Sequence, residues 1–122
     1  MPWTYSQSTG QLRHNGVVVG TGYSGAGTTA ASGRNNPVMQ GTPNQGPIPA
    51  GTWNVGNAFA HPQKGPTSMN LTPVGHNALG RFAFMIHGNN VQNNASQGCI
   101  ILGPALRQQI ATSGDHVLVV AP

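Results

Sequence analysis

Cys99 is the chain's only cysteine, set in Ser96-Gln97-Gly98-Cys99, and His87-Gly88 closes an apolar run a short loop earlier. A lone thiol cannot close an intramolecular disulfide, and it offers a metal one ligand at most. An imidazole near it can take its proton and hold the thiolate as an ion pair, lowering a pKa that otherwise sits near ~8.5. The amides of Gly98 and Cys99 are natural donors to a developing oxyanion, and Ser96 can brace the turn or bond a substrate. The imidazole also needs an orienting acceptor. A backbone carbonyl near Gly88, or the loop amides Asn89 and Asn90, are favoured over the distant Asp115. Spacing alone also fits a cysteine that is simply packed and a histidine that simply ends a strand.

Composition narrows the chemistry. Asp115 is the only carboxylate side chain in 122 residues. Paired-carboxylate glycoside hydrolysis, an aspartic dyad and oxygen-rich calcium or two-metal sites all lack their parts. No CxxC or HxxxH spacing supports a zinc site, so neither metal nor cofactor is expected. The net charge of +4 reflects missing acids, because Arg13, Arg34, Lys64, Arg81 and Arg107 are scattered singly. That leaves no basic stripe for nucleic acid, though an anionic polymer such as a cell wall would be weakly attracted. Met1-Pro2-Trp3 runs straight into strand-like sequence with no basic and apolar leader, and no apolar stretch nears the ~20 residues of a membrane span. A chain made in the cytoplasm is expected, with any work outside it depending on another route.

These residues must be held by a loop-rich, mainly β domain covering 1–122. Trp3 to Ser6 alternates as a strand, and a turn at 8–10 follows. Gln11 to His14 then meets Val17 to Val19 across Asn15-Gly16, a two-residue hairpin signal. Residues 24–46 read as a long loop, with Tyr23, Asn35 and Asn36 as candidates to line a binding groove. Gly46 to Gly51 leads extended into a strand at 52–55. A second loop is expected over 57–68, then a short strand at 69–72. Arg81 to His87 reads as a strand with Phe82, Phe84 and Ile86 on one face. An apolar run at 99–102, a helix over 104–113 opened by Pro104 and closed by Gly114, and a strand at 116–120 complete the chain. Trp3, Tyr5, Trp53, Phe82 and Phe84 are expected in the core. His14, His61, His76 and His116 read as ordinary surface or structural residues.

At His87-Gly88 and Ser96-Gln97-Gly98-Cys99 the chain resembles the L,D-transpeptidase (YkuD-type) catalytic domains, cysteine enzymes of peptidoglycan. Gly46-Pro47-Ile48-Pro49-Ala50-Gly51-Thr52-Trp53 is similar to their Pro-x-Gly-x-aromatic segment. The opening Trp3 to Gly10, Gly80-Arg81-Phe82 and Gly98 to Leu102 resemble a subgroup of small type VI secretion effectors that attack the walls of rival bacteria. The resemblance implies a mixed β-sandwich or barrel with one or two short helices and long loops. It also implies Cys99 as nucleophile, His87 as base, and tetrapeptide stems as substrate. A thioacyl-enzyme would be resolved by water, by a D-amino acid or by another stem. Implied partners are peptidoglycan stems, a cognate immunity protein and a component of the secretion apparatus, with action in the periplasm of a target cell. Most L,D-transpeptidases carry His before Gly-Cys and Arg or Asn two residues beyond the cysteine. Gln97 and Ile101 stand there instead, so substrate carboxylates must be held otherwise, with Arg81 as the candidate. Two other readings compete. One is a Cys/His endopeptidase, against which the His-before-Cys order counts; the other is a wall-binding module whose Cys99 is mere packing.

Overall fold

The computed structural model describes residues 2–122. The opening meander forms as its alternation dictates. β1 (Trp3–Ser6) buries Trp3 and Tyr5 and pairs antiparallel with β2 (Gln11–His14), which pairs in turn with β3 (Val17–Thr21). Asn15 and Gly16 both take positive φ, 54° and 79°, as the tight hairpin turn requires. The C-terminal strand β10 (Val117–Ala121) inserts beside β1 in parallel and carries β5 (Gly51–Val55) on its other edge. β7 (Gly65–Val74) follows β5 antiparallel and also pairs with β6 (Phe59–His61). Beyond β7 lie β8 (Met85–His87), β9 (Ile100–Ile101) and β4 (Tyr23–Ser24). The result is one mixed ten-stranded sheet that is not closed into a barrel. Trp53, Tyr5, Leu12, Ile48, Met69, Ile86, Ile100 and Leu118 are buried at its centre. The α-helix α1 (Pro104–Thr112) begins on Pro104 and packs Leu106, Ile110 and Ala111 against that core. Among the described residues, no helix is long and apolar enough to cross a membrane.

Three expectations change. The segment 57–68 is not a loop but the β6–β7 hairpin, and β7 is longer than the strand read at 69–72. Its turn is built by His61, whose Nδ1 accepts the amide hydrogens of Gln63 at 3.0 Å and Lys64 at 3.1 Å. Arg81 to His87 is a strand only from Met85 onward, because Ala83 sits at φ 67° and breaks the extended backbone. That break turns Phe82 outward, 87% exposed, while Phe84 and Ile86 stay buried. The loop 24–46 carries two short 3-10 turns, Ala30–Ser32 and Pro37–Met39.

The single carboxylate has a structural post. Asp115 Oδ2 meets His14 Nε2 at 3.1 Å, and the His14 ring stacks on Trp3 at 3.8 Å between centroids. Partial desolvation alone would raise the Asp115 carboxyl. The hydrogen bonds from His14 and the Val117 amide outweigh it and hold the group below its ordinary range. A carboxyl depressed by folding stabilises the fold above its unfolded pKa near ~3.9, and that contribution is lost as pH falls through the folded value. Asp115→Asn should therefore cost about 0.5–1 kcal/mol at pH 7. The gap to wild type should close towards pH 3, as read by urea midpoints at the two pH values. A gap that stays constant would remove the ionic component.

Candidate active site

His87 ends β8, and Cys99 immediately precedes β9, the strand paired to β8 in parallel with His87 opposite Ile101. Cys99 is two residues before Ile101, so His87 and Cys99 lie diagonally on one face of the pair. At rest Cys99 Sγ lies 3.7 Å from the Ala83 carbonyl oxygen, so thiol and imidazole are neighbours with no hydrogen bond between them. The loop 88–98 joins the two strands as a crossover, so they run parallel and not as a hairpin. Both residues line one groove of about 790 Å³. His87 is buried and Cys99 is half-buried.

The histidine's tautomer follows from its contacts. Nδ1 lies 2.9 Å from the Gly88 carbonyl oxygen, which can only accept, so Nδ1 carries the hydrogen. Nε2 is then a lone pair, and it is buried without a hydrogen-bond partner among the described residues. Asp115 takes no part in this; it is engaged with His14. Burial pushes the imidazole below its ordinary pKa. The Gly88 bond opposes this, while Lys64, Arg107 and His61 add to it. Burial also pushes the Cys99 thiol upward, and the Met85 amide, Lys64 and Arg81 pull the other way without overcoming it. The resting pair at neutral pH is thus thiol and neutral imidazole, not the ion pair expected from sequence. An imidazole in that state is a general base, ready to take the proton as the sulfur attacks.

Ser96 braces the nucleophile turn. Its hydroxyl accepts from the amides of Gly25 at 3.0 Å and Gly98 at 3.1 Å, and donates to the Cys99 carbonyl at 2.6 Å. The Gly98 amide is therefore engaged with Ser96 and is not turned to the groove, which leaves the Cys99 amide of the expected oxyanion pair. Gly98 itself is needed for another reason. Its φ is 137°, and a Cβ there would meet Arg81 Nη2 at 2.6 Å and the Phe84 ring at 2.9 Å. Gly88 likewise packs against the Arg107 guanidinium, 2.9 Å from where a Cβ would stand.

Arg81 is not available for a substrate. Nη1 donates to the carbonyls of Gln40 and Pro47, both at 2.7 Å, and Nη2 to those of Gly46 at 3.0 Å and Gln97 at 3.1 Å. With no carboxylate nearby, backbone oxygens satisfy the guanidinium instead, and the side chain becomes a clamp between the loop at 40–47 and the nucleophile turn. Arg81 nevertheless lines the groove, whereas Tyr23 lies outside it. Its buried hydroxyl donates to Asn89 Oδ1 at 2.6 Å and accepts from the Ala95 amide at 2.8 Å, with Arg34 stacked 3.5 Å over the ring. Asn36 caps a 3-10 turn through Val38, and Asn35 bonds the Ser24 amide. Asn89 and Asn90 do line the groove. His76 and His116 bond the strand carbonyls of Thr52 and Val55. Residues passed over in the sequence, His61 and Lys64 from the β6–β7 hairpin and Pro43 and Asn44 from the long loop, complete its walls. Their signal was thin, because short hairpins held by a histidine turn look like loops.

The fold and this groove define a mainly β protein with one thiol and one neutral imidazole facing a shared cavity. A family model for the Tlde1 domain matches residues 19–117, and the chain belongs to that family of type VI secretion effector domains. Membership fits an enzymatic effector delivered into target cells. No curated protein matches the chain.

Proposed function

We propose that this chain is a cysteine L,D-carboxypeptidase that also performs L,D-transpeptidation, acting on peptidoglycan tetrapeptide stems in the periplasm of a target bacterium. One observation carries the reading: the unpartnered Nε2 of a neutral His87 on the same face of paired strands as Cys99, in one open groove. The resemblance of His87-Gly88 and Ser96 to Cys99 to the L,D-transpeptidases supplies the substrate. Cys99 Sγ attacks the carbonyl carbon of the third stem residue while its proton passes to His87 Nε2. The Cys99 amide donates to the oxyanion. The tetrahedral adduct collapses with cleavage of the C–N bond, and His87 returns the proton to the departing D-alanine nitrogen. Water then attacks the thioester, giving a tripeptide carboxylate and free thiol; a D-amino acid or a neighbouring stem's amine taking water's place gives exchange or a cross-link. The Met85 amide supports negative charge on sulfur throughout. A cognate immunity protein in the producer would act by covering this groove. The groove's walls carry no carboxylate and include Lys64, which suits an anionic stem.

The test uses sacculi from a Gram-negative cell expressing the chain with a periplasmic leader. Muropeptide mass spectrometry should show tetrapeptides converted to tripeptides or exchanged stems. Tetrapeptides unchanged in a strain that the protein nevertheless damages would overturn the L,D reading. Cleaved cross-links with intact tetrapeptide termini would instead favour an endopeptidase.

A further inference from the structure

Resting on that reading, we propose that the tip of the β6–β7 hairpin, Lys64 together with His61, is the specificity element that binds the free C-terminal carboxylate of the substrate. This would confine the enzyme to bonds one residue from a chain end. The other cations are already engaged. Arg81 is spent on carbonyls, Arg107 donates to the carbonyls of Leu102 and Pro66, and Arg34 to those of Gly27 and Asn93. Arg13 bonds Gln11 on the meander, away from the groove. Lys64 is exposed, lines the groove and has no side-chain hydrogen bond among the described residues. Beside it, the His61 Nδ1 accepts two amide hydrogens, so its ring hydrogen is on Nε2. His61 also lines the groove. An ammonium and an imidazole N–H on one tight turn make a charge-assisted pair of donors suited to a carboxylate.

Orientation follows from the proton path. The leaving amine must lie by His87, which protonates it, and Lys64 and His61 line the same groove as that ring. The carboxylate of the departing residue, attached one carbon from the amine, therefore falls on the hairpin side. No carboxylate of the protein competes for it. A stem extended by a further residue, or cross-linked through that carboxyl, would present an amide to Lys64 and lose the contact.

Two arms test this. In the first, wild type is compared on a tetrapeptide and its C-terminal amide, with Lys64→Met, Lys64→Arg and His61→Phe alongside. The acid should be preferred roughly three- to fivefold in KM, the preference should vanish in Lys64→Met with kcat little changed, and Lys64→Arg should restore most of it. The second arm needs no catalysis: calorimetric binding of the same two peptides to Cys99→Ala and to the double variant Cys99→Ala/Lys64→Met. Tighter binding of the acid only where Lys64 is present supports the assignment. Equal binding of acid and amide to Cys99→Ala overturns it, whether or not D-alanine release depends on Cys99. Release that persists in Cys99→Ala, with the acid preference intact, would instead count against the thiol mechanism alone.

Discussion

Cys99→Ala and His87→Ala are each expected to lower D-alanine release from tetrapeptide stems by at least ~10³-fold, while leaving the fold intact by circular dichroism. Sulfur supplies the bond-forming electrons, and no other cysteine can substitute. His87 Nε2 lines the same groove as that sulfur and is unpartnered among the described residues, and general-base assistance is worth ~10²–10⁴-fold by itself. The two losses should not add, because the groups act as one unit. The pH profile carries the sign. Burial and the neighbouring cations hold His87 below its ordinary pKa, so the base stays unprotonated into mildly acidic solution. The acid limb of kcat/KM should therefore lie below ~6.5, the unperturbed histidine value. Because the resting thiol is raised, alkylation of Cys99 at pH 7 without substrate should be slow for a catalytic cysteine and accelerate at higher pH. An acid limb well above that histidine value, with fast alkylation at neutral pH, would point to a resting ion pair.

Arg81→Met should be the most damaging substitution away from the reacting atoms. The guanidinium ties the carbonyls of Gln40, Gly46, Pro47 and Gln97 together, and its removal leaves partly covered acceptors with no cation. Hydrogen bonds to a charged group are worth about 1.5–3 kcal/mol each at most, and solvent can replace some of these. A net loss of ~3 kcal/mol is expected, or roughly 10 °C in Tm for a domain of this size. Activity should fall as well, because Gln97 and Gly98 position the nucleophile turn. Arg81→Lys should recover only part of the stability, since one ammonium cannot span the fork. Unchanged Tm with a raised KM would return Arg81 to the substrate-binding role its sequence position suggests.

The contrast between Arg81 and Lys64 shows what was legible in the chain. Local structure was readable: the β1–β3 meander from alternation and Asn15-Gly16, and α1 from Pro104 and its Leu106–Ile110 face, while Cys99 and His87 do come to line one groove. Non-local choices were not. Whether Arg81 meets a carboxylate or four carbonyls depends on the loop at 40–47 folding over it. Ala83 at positive φ left no trace in the pattern of Phe82, Phe84 and Ile86, so the strand seemed longer and Phe82 seemed buried. The parallel pairing of β8 and β9 likewise needs Tyr23 and Ser96 to hold the connecting loop, through partners far apart in the chain. The β6–β7 hairpin hid because its three-residue turn between His61 and Gly65, held by the histidine ring, stands in a run of polar and turn residues that reads equally well as loop.

The central claim is that one sulfur carries the acyl group, and the intact mass of the protein tests it most directly. Brief incubation with a tetrapeptide stem at mildly acidic pH, followed by acid quench, should add the mass of the tripeptide acyl group on the fragment containing Cys99. One free D-alanine should appear for each adduct. D-alanine released at the wild-type rate by Cys99→Ala, with no acyl mass on the protein, would contradict the account.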